Sequence, residues 1–226
     1  MTNPGPLAEI DLPDAGWHTS TKIVIAVGLA VWFAVAWALG TSGVMTADAS
    51  QPFRPILLSI LVPVAVFLAA YFWSGRFRTF VLSQDIRVLT MLQHWRVLGF
   101  TFLMLYAHDV LPGRFAWPAG LGDIAIGFAA PLIVLRLVRR PEFARSRAFV
   151  TFHLLGILDF VVAGASATLA SGAFPTLHMG PLTSAPMEYW PLSLFPSFIV
   201  PLFLFVHLAV LFQVRELRRQ ASRACR

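Results

Sequence analysis

Apolar runs of about 20 residues recur along the whole chain, at about 22–40, 55–73, 88–111, 119–137, 148–171 and 192–214, separated by shorter stretches rich in charge, proline and glycine. About 20 apolar residues is the length an α-helix needs to cross a hydrocarbon core of ~30 Å. The pattern predicts an all-α membrane protein, a bundle of about six transmembrane helices. The third run is the least regular, because Q-H-W-R at 93–96 interrupts it and Pro112 closes it. The fourth is expected to begin after Pro118, and its Gly120 and Gly122 suit a helix whose backbone is approached closely by a neighbour. In the sixth, S-L-F-P-S-F-I-V-P-L-F carries Pro196 and Pro201, each of which removes a helical hydrogen bond and predicts a kink. No repeat divides the chain. Three segments are expected: an amino-terminal segment at 1–21, the membrane domain at 22–214 and a basic tail at 215–226 lying on the headgroups.

Composition agrees with this reading. Of 226 residues 58% are hydrophobic and 12% charged, with a mean hydropathy of +0.74, against roughly 25% charged in soluble domains. The net charge of +6 would suit nucleic acid, but its placement does not. If the amino terminus is cytoplasmic, Lys22, the arginines at 76, 78 and 87, those between 136 and 147, and those from 215 onward all fall inside. Cytoplasmic flanks are where Lys and Arg belong. Only Arg54 and Arg114 fall outside, and Arg96 lies within a span. The expected topology is a multi-pass protein of a bacterial-type plasma membrane with both termini cytoplasmic, its partners the lipid bilayer and a second membrane subunit or another copy of itself, with no nucleic acid. Residues 1–21 carry Glu9, Asp11 and Asp14 and no Lys or Arg, the wrong flank for a signal peptide. A-D-A at 47–49 resembles a cleavage site, yet the first run is read as a permanent helix. The single Cys225 allows no disulfide within the chain.

The polar residues inside the spans carry the functional information, since a charge at the bilayer centre costs at least ~2.5 kcal/mol and by default marks a site with a partner. Measured from the basic residue ending each helix, His153 lies roughly 9 Å deep, His94 about 10 Å and His207 about 12 Å. Three imidazoles at one depth can ligate a transition metal, or two of them a haem b. His94 and His108 are 14 residues apart on one face, but no second helix carries such a pair, so at most one haem would have two histidine ligands. Deeper lie Arg96 at about 13 Å, Asp159 at about 18 Å and Asp123 at about 20 Å. Depth matches Arg96 with Asp159, leaving one carboxylate without a fixed counter-charge. His153 and Asp159 face about 120° apart, which assigns them to different neighbourhoods, with Gly156 between them open to another helix. His108 and Asp109 close the third span at the outer interface.

R-V-L-G-F-T-F-L-M at 96–104, followed by F-A-W-P-A-G-L-G-D-I-A-I-G-F at 115–128, resembles the opening two helices of DoxX-type small membrane proteins. Arg96, Gly99 and Asp123 occupy the places of that family's arginine, glycine and acidic residue. No lysine ends the first of these helices, and Asp stands where Glu is common. The resemblance covers about 30 residues, and it implies a four-helix core from the third to the sixth span and a redox-associated or accessory membrane subunit.

Three functions follow. Asp123, Asp159 and Arg96, with His108 and Asp109, would line an ion or proton pathway of a small proton- or cation-coupled transporter. His94, His153 and His207 would hold a metal or haem in a redox protein. Alternatively, the charges only lock the helices of an accessory subunit together. No H-E-x-x-H, C-x-x-C, nucleophile elbow or phosphate loop suggests an enzyme. The outer loop at 172–191, with His178, Met179, Met187 and Glu188, offers copper ligands, but its Tyr189 and Trp190 read better as an interfacial belt.

Overall fold

The computed structural model describes residues 19–47, 55–174 and 180–224. Its helices are α1 (Thr19–Ser42), α2 (Pro55–Trp73), α3 (Gly75–Leu82), α4 (Ile86–Leu92), α5 (Phe100–Ala107), α6 (Gly113–Arg139), α7 (Arg147–Leu169) and α8 (Val200–Ala224). Short polar residues fix several of the starts. The side chains of Ser74, Asp85 and Ser146 accept from the amides of Phe77, Arg87 and Phe149, capping α3, α4 and α7. Six helical segments are long and apolar enough to cross a membrane: Ile23–Ser42, Pro55–Trp73, Ile86–Ala107, Gly113–Arg139, Arg147–Leu169 and Phe195–Arg223. The six-span bundle expected from the apolar pattern is present.

Three local expectations need correcting. The fourth span starts at Gly113 with Pro112 as its cap, so Pro118 lies inside α6. The sixth span is not simply kinked. A π-helical turn over Phe195–Ile199, with Pro196 at its start, feeds into α8, because Pro201 has no N–H with which to continue the α ladder. The basic tail is no separate element over its described residues either: α8 runs on to Ala224, and Arg218 donates to the carbonyls of Arg145 and Ser146.

The third span is split. Between α4 and α5 the chain tightens into a 3-10 helix over Gln93–Gly99, spanning the Q-H-W-R interruption. With three residues per turn, positions three apart lie on one edge. Gln93, Arg96 and Gly99 are accordingly the three buried residues of that stretch. At Gly99 that edge meets α6, where the helices nearly touch, whereas Gln93 donates to the Phe203 carbonyl of α8. A side chain at Gly99 would strike Asp123, and one at Gly127 would strike the backbone of Val97.

Contacts between loops give the bundle two ends. At one, Gln213 donates to the carbonyls of Val81 and Gln84, and Arg218 holds the 140–146 turn, so three basic segments meet there. At the other, the amide of Ser184 donates to the Ala170 carbonyl and that of Ala47 to the Glu188 carboxylate. The core is layered to match. Ile126, Ala130, Ile133, Phe149, Val210 and Val214 belong to an apolar cluster at the basic end, and Phe102, Leu111, Phe115, Ala119 and Met187 to one at the opposite end. α1 stands at the edge, leaning its Trp32 on Phe198 and Phe205.

Candidate functional site

Between the two apolar clusters lies a polar layer built on Arg96, which is 2% exposed. Its Nε donates to Asp123 Oδ1 at 2.7 Å, and its Nη2 donates to Asp159 Oδ2. Its Nη1 donates to the Gly156 carbonyl at 3.2 Å and to His207 Nε2 at 3.1 Å. The guanidinium also lies over the Phe160 ring, 4.0 Å from its centroid, a cation–π contact whose strength rises with burial. The planar fork is what allows one side chain to serve α6, α7 and α8 at once.

The histidines extend the layer. His207 Nδ1 and His153 Nδ1 are 2.9 Å apart. A guanidinium only donates, so His207 Nε2 accepts, its Nδ1–H donates to His153 Nδ1, and the His153 proton sits on Nε2. That Nε2 is buried with no hydrogen-bond partner, beside the rings of Phe149 and Phe152. Gly156 permits the close approach, since a Cβ there would overlap the His207 imidazole.

The structure therefore gathers Arg96, Asp123, Asp159, His153 and His207, and leaves three other candidates aside. His94 pairs its Nδ1 with the Gly127 carbonyl at 2.9 Å, away from the other two imidazoles. His108 and Asp109 are exposed where α5 ends, Asp109 in the left-handed region at φ 54°. The separation of acids from histidines also fails, because His207 bonds to Arg96 and joins both neighbourhoods. Likewise, neither acid is left over: one guanidinium holds both. The three imidazoles do not converge on a metal or haem iron. A metal holds each imidazole nitrogen at roughly 2.0–2.1 Å, and two Nδ1 atoms sharing a proton at 2.9 Å leave no room for an ion between them. Among the described residues no three His, Cys, Asp or Glu side chains gather in a metal-holding arrangement. His178 and Met179 of the outer loop lie outside the described residues.

Sequence reasoning overlooked the Gly156 carbonyl, the Phe160 ring and a cavity. The carbonyl is invisible to side-chain patterns, and the 3-10 edge showed in the sequence only as the Q-H-W-R interruption. The cavity holds about 280 Å³ and runs from Arg96 and Asp123 toward Glu188 and Met187. Its wall is mostly aromatic and aliphatic, with Trp95, Phe102, Phe115, Phe160, Phe195 and Phe203 among its members.

Fold and site together define a polytopic helical membrane protein with an arginine held between two aspartates at mid-span. Within that class the chain belongs to the family described as Domain of unknown function (DUF8737), whose model matches residues 52–215 and so takes in every residue of the polar layer. No curated protein and no solved structure matches the chain.

Proposed function

We propose that this protein is a small carrier that binds a proton or a cationic solute at the Asp123–Arg96–Asp159 cluster. The observation that carries this reading is the count of groups at mid-span: two carboxylates share one guanidinium between two apolar layers, so the cluster carries a formal charge of −1 unless a proton or a cation occupies it. Such a surplus is costly in a membrane interior unless a cation or proton offsets it, so loading and emptying the cluster are coupled to its charge. The histidines orient rather than conduct. Both nitrogens of His207 are engaged, and Arg96 does not give up a proton, so no proton wire leads from the histidines through the guanidinium to the acids. Alternating exposure of the carboxylates is the mechanism this arrangement supports.

The test is flux in proteoliposomes under an imposed pH gradient. Asp123→Asn and Asp159→Asn should each abolish proton-coupled flux in protein that still purifies as a folded species, and His153→Phe should retain most of it. Flux at the wild-type level in both aspartate variants would defeat the carrier reading and favour an accessory subunit locked by its charges.

A further inference from the structure

We infer that the cavity beside the cluster takes a lipophilic organic monocation, an ammonium-type group on an apolar body. This inference rests on the carrier reading for its setting but on separate observations for its content. Asp123 forms part of the cavity wall. Its Oδ1 receives Arg96 Nε, and among the described residues no hydrogen bond reaches its Oδ2, which leaves one carboxylate oxygen available on that wall. Aromatic side chains line the cavity around it, and the face of an aromatic ring attracts a cation and repels an anion. An anion would in addition meet a cluster in which two carboxylates outnumber one guanidinium.

Shape and access agree. The volume of about 280 Å³ approaches that of typical small-molecule sites, roughly 300–1,000 Å³. Two wall residues, Trp95 at 63% and Leu98 at 47%, are exposed on the flank of the bundle, so the route in crosses an apolar surface, which a lipid-soluble molecule crosses readily. On the α7 side, a Cβ at Gly164 would meet nothing within 4 Å, and Ala163, Ala167 and Thr168 are the neighbouring wall residues. The cavity is thus open next to the cluster rather than filled by the protein's own side chains. A monocation there neutralises the same surplus charge that a proton does, so the two compete for the cluster.

The experiment measures equilibrium binding of benzyltrimethylammonium to the full chain in nanodiscs, beside its neutral carbon isostere neopentylbenzene and the anion benzenesulfonate. The expected result is saturable binding of the cation, at least tenfold tighter than either comparison compound, with proton release on binding. Asp123→Asn should weaken it at least tenfold. Gly164→Leu, which fills open space without touching the ion pairs, should abolish it while circular dichroism and the melting temperature stay near wild type. Equal or tighter binding of the neutral or anionic compound would overturn the inference, as would unchanged cation binding in a folded Gly164→Leu variant. Cation binding without proton-coupled flux supports the ligand class and defeats the carrier reading. Flux without cation binding does the reverse.

Discussion

Arg96 shows how a single side chain organises this interior. Four hydrogen bonds from its N–H groups reach two carboxylates, one carbonyl and one imidazole, so every partner left behind by a substitution is polar and largely withdrawn from solvent. Removing one member of a buried ion pair typically costs about 3–5 kcal/mol. Arg96→Met is therefore expected to lower stability by about that amount in detergent melting, and adding Asp159→Asn to it should recover part of the loss. Arg96→Lys should behave more like Met than like Arg, because one ammonium cannot reproduce the fork. Asp159 and Arg96 were legible as a pair from depth alone, since helical rise converts sequence position into distance. Helix rotation was not legible, which is why one carboxylate was left without a fixed counter-charge and His207 was placed with the inner histidines alone.

Among the elements, the contact between the third span and α6 is made by missing side chains. Gly127 faces the Val97 backbone nitrogen, at 2.7 Å from where a Cβ would stand, and backbone cannot move aside as a rotamer can. Gly127→Ala is expected to cost about 1–3 kcal/mol by overpacking. Gly164→Ala, with open space around it, should stay within about 0.5 kcal/mol. Thermal unfolding of the two variants in one detergent compares them directly. The existence of each span was legible because about 20 apolar residues admit few other arrangements. The 3-10 and π turns were visible only as interruptions, because the backbone form that an interruption takes is decided by the neighbouring helix it must fit.

For the whole molecule, three arginine-bearing segments meet at one end, around Gln84, Arg145 and Arg218. The opposite end carries Glu188 and the turns beside it. On a Cys225→Ser background, single cysteines placed at Ser83, Glu142 and Ser222 are expected to react with an impermeant thiol reagent from the same side of the membrane, the cytoplasmic one. A cysteine at Tyr189 should react only from the other. Labelling of position 142 and position 189 from a common side would contradict the topology. The gathering of basic segments at one end was readable from charge placement, whereas the placement of a polar layer between two apolar clusters was not, because it depends on which faces the helices turn inward.

The 3-10 stretch also ties the site to the reach of its span. The 22 residues of Ile86–Ala107 would rise about 33 Å as an unbroken α-helix, and seven of them at ~2.0 Å each add about 3.5 Å. Rewinding those seven as α-helix would shorten the span by that amount and turn its two halves by about 140° relative to one another. Gln93, Arg96 and Gly99 would then spread over about 120° of circumference, and no single orientation would turn all three into the bundle interior. Span length and site assembly are in this sense one geometric variable, and the thickness of the surrounding bilayer bears on both.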